Sequence, residues 1–186
     1  MPAARSSEEL CRDREVLLKV TEELIYARGI QSVGMDEIRS SSGLTLKRIY
    51  AQFATKEDLV VATLQRRDLR WRNALAAHVN QYETARGKLL AMFDWLDDWF
   101  AEPGFRGCLW INVHGELGAT SPAIAAEVRA HKHAFHDQIT MWATEYGPAI
   151  AEAVYLLAEG AIVTAGIADR SGSARHARTA VEAIIM

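Results

Sequence analysis

The stretch Asp36-Glu37-Ile38-Arg39-Ser40-Ser41-Ser42-Gly43-Leu44-Thr45-Leu46-Lys47-Arg48-Ile49-Tyr50-Ala51-Gln52-Phe53 decides the fold of this chain. Two short segments flank a glycine, and Ile38, Leu44, Ile49 and Phe53 supply apolar anchors that hold the second segment across the first. Gly43 is free to take the positive φ that such a corner requires. Thr45 stands at the N-cap of the second segment, where its hydroxyl satisfies a free N–H and the positive end of the helix is turned outward, a favourable place for a phosphate. Leu46, Lys47, Arg48, Tyr50, Ala51 and Gln52 are left to divide between solvent, backbone and base edges.

Before this stretch, Leu10, Leu17, Val20, Leu24 and Ala27 form one stripe of an amphipathic helix, which Gly29 stops. After it, Thr55-Lys56-Glu57-Asp58 has an N-cap hydroxyl with an acid three residues on, and opens a longer helix towards Val79. Further helices are expected over about 83–101, 107–117, 122–144, 148–168 and from 173 onward, with Pro122 and Pro148 placed where a first helical turn tolerates them. No stretch alternates with period two over a strand's length, so the fold is expected to be all-α.

The block from Gly29 to Leu59, above all Gly43-Leu44-Thr45, Ile49-Tyr50, Phe53 and Lys56-Glu57-Asp58-Leu59, resembles the DNA-binding domain of TetR-family transcriptional regulators. The resemblance covers roughly residues 10–60, and Phe105-Arg106-Gly107-Cys108-Leu109-Trp110 is similar to the start of the sixth helix in many members. It implies an N-terminal three-helix helix-turn-helix DNA-binding domain over residues 1–55 and a larger helical ligand-binding and dimerisation domain over 56–186. The function it implies is that of a cytoplasmic, ligand-responsive repressor, a homodimer on a palindromic double-stranded DNA operator. Tyr50 and Lys56 match positions that usually touch phosphate, and Thr45 matches a turn hydroxyl that often does. Lys47 and Arg48 fall where the family commonly faces the major groove, and an arginine fork suits guanine O6 and N7. Leu46 and Gln52 complete the candidate surface. Two positions depart from the pattern: Gly34 replaces the usual Thr or Ser cap of the second helix, and Arg39 replaces a usual alanine, adding a cation to the candidate DNA face.

Charge, taken whole, points the other way. The 186 residues carry a formal net charge of −3, unfavourable for a partner that rewards Lys and Arg. Position resolves the conflict: residues 1–72 hold 13 Lys and Arg against 11 Asp and Glu, whereas residues 73–186 hold 8 against 13. Within the first part, residues 39–72 alone carry 8 cations and 3 anions, a local +5.

Cys11 and Cys108 lie 97 positions apart with no CxxC spacing, which fits a reducing cytoplasm better than a disulfide framework. The opening residues have no apolar run and carry acids early, unlike a secretory leader. Residues 148–168 are long and apolar enough to span a bilayer, yet Glu152 and Glu159 share one face and no basic cluster anchors either end. A helix buried by protein on most sides is therefore expected, and no membrane partner.

The aromatics concentrate between Glu83 and Tyr155, and Trp95, Trp99, Trp110, His114, Phe135 and Trp142 are candidates to line a pocket for a small apolar or aromatic effector. Of His131, His133 and His136, the first two point about 200° apart around a helix and cannot share one ion, whereas His133 and His136 could; with no acidic ligand motif nearby, no metal is expected there. Cys108 reads as a buried small hydrophobe, with a redox-sensing thiol as the alternative. Ala174, Ala177, Val181 and Ile184 form a stripe expected to pair with the small-residue helix 148–168 in a four-helix dimer interface. The competing class is an all-helical carrier or enzyme using the aromatic cavity. No nucleophile–base pair or phosphate loop in the sequence supports catalysis, and no cofactor is expected.

Overall fold

The computed structural model describes residues 6–168 and 172–186, so the part of the leader reading that rests on residues 1–5 lies outside the described residues. Every regular element among the described residues is helical: α1 (Ser7–Arg28), α2 (Met35–Ser42), α3 (Leu46–Tyr50), α4 (Lys56–Val79), α5 (Ala85–Phe100), α6 (Leu109–Leu117), α7 (Pro122–Trp142), a 3-10 turn (Thr144–Tyr146), α8 (Pro148–Ala168) and α9 (Ser173–Ile184). The all-α expectation is met. The helix 107–117 starts two residues late, at Leu109, and α3 is a single five-residue piece that ends at Tyr50 rather than at Phe53.

Local chemistry places most of the ends. Ser6 and Glu9 form a reciprocal capping box at the start of α1, and Gly29 closes it at φ 82°. Thr55 and Asp58 cap one another's N–H groups at 3.0 Å at the start of α4. Thr84 caps α5 through the Gly87 N–H.

The chain divides into two compact units. The first comprises residues 1–68 and 112–127, so it extends beyond residue 55 and takes in most of α6. Its core includes Leu17, Ile25, Ile30, Val33, Ile38, Ile49, Leu59 and Leu64. Arg67, buried beside Glu22 at 2.6 Å, and Arg66, 2.9 Å from Glu15, tie α4 to α1.

The second unit comprises residues 69–111 and 128–186. There α9 packs on α5 and α8. The stripe expected to form a dimer face lies mostly inward: Ala174, Ala177 and Val181 are buried within the chain, and only Ile184 is exposed. Periodicity identifies an apolar stripe correctly but does not say which neighbour covers it. The reverse holds for α8, which is long and apolar enough to cross a membrane but leaves Leu156, Val163 and Ile167 exposed rather than being enclosed on most sides. Its two acids are engaged, Glu152 by His136 at 3.0 Å and Glu159 by Lys132.

Candidate nucleic-acid interface

Gly43 adopts the left-handed conformation at φ 67°, which turns the chain sharply between α2 and α3. Ile38 and Ile49 are fully buried and Leu44 and Phe53 nearly so, which pins α3 by its inner side. The Arg48 N–H donates to Thr45 Oγ1 at 3.3 Å, and the Leu44 N–H donates to Ser42 Oγ at 3.3 Å. Gly34 caps α2 with no side-chain bond, as expected from its lack of a hydroxyl. Because α3 has few intrahelical bonds of its own, its cap matters. Thr45→Ala is expected to lower stability by about 1 kcal/mol, read as a fall in the urea midpoint with unchanged slope.

The candidate contact residues separate into two groups. Thr45, Leu46, Lys47, Tyr50 and Arg39 are exposed, and among the described residues Lys47 makes no ion pair. Arg39 donates from Nε to Asp36 one turn away at 3.3 Å, an exposed pair worth little. Arg48, Gln52 and Lys56 are engaged within the chain. The Arg48 guanidinium forks onto the buried Asp13 carboxylate of α1, with Nε 2.8 Å from Oδ2 and Nη2 on Oδ1, and this hydrogen bond holds its pKa above the ordinary value. Gln52 Nε2 donates to the Leu10 carbonyl at 2.9 Å, also on α1. Lys56 Nζ donates to the Ile30 carbonyl at 2.7 Å, and burial pulls its pKa down against the raising field of Glu116.

Glu116, which the sequence places with Asn112 on one polar face of its helix, has a role that spacing does not reveal. Its carboxylate accepts from the Ile30 N–H at 3.1 Å and the Gln31 N–H at 2.9 Å, closing the turn after α1. A Cβ at Gly29 would lie 2.7 Å from Glu116 Oε1, so this glycine is needed for close approach as well as for its positive φ. Only the glycine is a sequence signal; its partner stands 86 residues beyond Ile30.

A profile for bacterial regulatory proteins of the tetR family matches residues 17–63, the segment that carries this geometry. The TetR-family transcriptional regulator SCO4454 of Streptomyces coelicolor shares 28% identity and a TM-score of 0.85, covering 94% of this chain and 95% of its own. The chain is similar to TetR-family regulators in its helix-turn-helix segment and, at 28% identity, over nearly its whole length. Its helix-turn-helix falls within that matched segment, and the matched structure is a transcriptional regulator rather than an enzyme. The transcriptional activator FasR of Mycolicibacterium smegmatis is 29% identical over 141 residues, which span 73% of this chain but only 61% of that relative's length. A TetR transcriptional regulator from Chloroflexus aurantiacus shares the fold at a TM-score of 0.80 and 20% identity, covering 96% of each chain.

Four of the six candidate pocket residues, Trp95, Trp99, Trp110 and Phe135, belong to one ring cluster, which Trp110 joins through His131, itself 5.8 Å from Trp71. Trp95, Trp99 and Phe135 meet the ring of Trp71, with centroids 5.3, 5.4 and 5.2 Å away. Trp110 stacks on His131, Trp142 is buried in α7, and His114 is exposed in the first unit. A cavity of about 330 Å3 lies elsewhere in the second unit, lined by Leu156, Gly160 and Thr164 of α8 and Ser173, His176 and Ala177 of α9. The three histidines part company as well: His131 is buried, His133 is exposed and His136 bonds Glu152.

Proposed function

We propose that this chain is a ligand-responsive repressor that acts as a homodimer on a palindromic operator. The observation that carries this reading is the outer face of α3. Leu46, Lys47 and Tyr50 stand exposed behind the Thr45 cap, while Ile49 and the Arg48–Asp13 fork fasten the opposite side. Lys47, Tyr50, Thr45 and Arg39 are the groups available to phosphate and base edges; Arg48 and Gln52 act as positioning residues that hold α3 on α1. Lys56 has one N–H committed to Ile30 and two left for a phosphate.

The dimer reading is supported by α8, whose exposed Leu156, Val163 and Ile167 form an apolar surface that a second copy would cover. Two recognition helices would then read half-sites about 34–36 Å apart or a multiple of it. An apolar or aromatic effector that binds a non-fitting spacing more tightly would release the operator, and one with equal affinity for both states would release nothing. The name of FasR favours a second reading, activation, and a promoter fusion read with and without the regulator separates the two signs.

The deciding experiment is salt-titrated binding to DNA flanking the chain's own gene, against random DNA of equal length. A repressor binds one site tightly with two chains per duplex; absence of any preference favours the carrier reading. Lys47→Ala is expected to lower the slope of log affinity against log salt by about 2 for the dimer, one phosphate contact per half-site. An unchanged slope would take Lys47 off the phosphate backbone.

A further inference from the structure

The side chains of α3 divide by angle into a used side and an open one. At about 100° per residue, Arg48, Ile49 and Gln52 fall on one side of the helix, and Leu46, Lys47, Tyr50 and Ala51 share an arc of about 140° on the other. Ala51 still belongs to that arc because its backbone is right-handed helical, at φ −71° and ψ −18°. The first side is spent within the chain. Ile49 is fully buried, the Arg48 fork is on Asp13, and the Gln52 amide donates to the Leu10 carbonyl. All four residues of the second side are exposed, and Leu46 and Tyr50, four positions apart, adjoin along it.

This open arc carries no amide, guanidinium or carboxylate. Those are the groups whose paired or directed hydrogen bonds tell guanine, adenine and cytosine apart in the major groove. Lys47 brings a point charge and Tyr50 a hydroxyl, both as well suited to phosphate as to a base. What remains is apolar surface, and the apolar feature of a base-pair edge in the major groove is the 5-methyl group of thymine. Leu46 is the apolar side chain best placed to meet it. It opens α3, and the first residues of a recognition helix are the ones that reach base edges. It also keeps 36% of its surface in water, although Leu44 and Phe53 beside it are buried. Lys47 next to it, within the local +5 of residues 39–72, supplies the charge that draws a polyanion onto this face.

We propose that Leu46 is a specificity-determining residue that packs on the 5-methyl group of one thymine in each operator half-site. This role rests on the proposed operator binding and names the chemical group by which the operator is told from other DNA. With Arg48 and Gln52 committed to α1, the chain reads a methyl group where a free guanidinium or amide would read guanine or adenine.

The test uses the full chain and a duplex that it selects from a random-sequence pool. Each thymine of that duplex is replaced in turn by deoxyuridine, which keeps every hydrogen-bonding group of the base and removes only the methyl. We expect one position in each half-site to weaken binding about fourfold, the worth of one buried methyl group, and the two together about fifteenfold. Leu46→Ala is expected to weaken binding to the thymine duplex and to bind the thymine and deoxyuridine duplexes within about 1.5-fold of one another. Leu46→Met, of similar volume, keeps the preference. A merely structural role for Leu46 would lower affinity for both duplexes alike and leave the preference in place. The proposal is overturned if no deoxyuridine substitution weakens binding more than about 1.5-fold, or if the effect survives unchanged in Leu46→Ala. If the pool yields no preferred sequence, operator binding itself fails and the role of Leu46 with it; a selected sequence indifferent to its methyl groups removes the role of Leu46 alone.

Discussion

Trp71→Ala is expected to cost about 3–5 kcal/mol of stability, several times the loss of the Thr45 cap. Trp71 occupies the inner side of the C-terminal half of α4 and meets four rings edge-on, those of Trp95 and Trp99 from α5 and of His131 and Phe135 from α7. Truncation removes the one ring shared by both helices, and Phe135, with no exposed surface, has no room to collapse into the space. Trp71→Phe behaves differently. The indole Nε1 is buried without a hydrogen-bond partner, so its loss removes an unsatisfied group while most of the ring contact survives, and the cost stays below about 1.5 kcal/mol. Urea unfolding followed by near-ultraviolet circular dichroism measures both. A Trp71→Ala loss below about 1 kcal/mol would mean that the aromatic cluster is not a cooperative core.

Trp71 also marks where sequence patterning runs out. The helix-turn-helix is legible because its signals act within four residues: the Gly43 corner, the Thr45 cap and the reciprocal Thr55 and Asp58 caps are local chemistry, and Pro122 and Pro148 mark two later helix starts in the same way. The aromatic concentration in the sequence begins after Glu83, whereas the ring at its centre belongs to α4, where period alone cannot say which helices gather. Electrostatics shows the same division. The cationic excess over residues 39–72 is present in the chain, but Arg48, Arg66 and Arg67 are met by Asp13, Glu15 and Glu22 of α1. Those acids come from 35 to 51 positions earlier, a separation no spacing rule reaches. The exposed charge on the candidate face is therefore concentrated at Lys47, with Arg39 beside it.

Arg48 is where these long-range partners most change the expected chemistry. The recognition-helix position and the guanidinium fork suit a guanine, and a residue in that role would lose discrimination of about 5- to 150-fold at one base pair when truncated. In the structure the fork is already used: both Asp13 oxygens accept from it, and Asp13 is buried on α1. Turning Arg48 to a base would take both of these hydrogen bonds from a buried carboxylate. Arg48→Ala is therefore expected to weaken binding to the operator and to every single-base variant of it alike, by about 10- to 100-fold, because α3 loses its charged tether and its register on the backbone. Asp13→Asn, which keeps the shape and one acceptor, is expected to fall between the variant and the parent chain. A competition panel covering each base pair of the operator checks this directly. Uniform loss, with no position changing its preference more than about threefold, makes Arg48 the strut of the recognition helix. A loss confined to one base pair would instead show that the fork opens on DNA, with Asp13 acting as the group that holds Arg48 until a guanine takes its place.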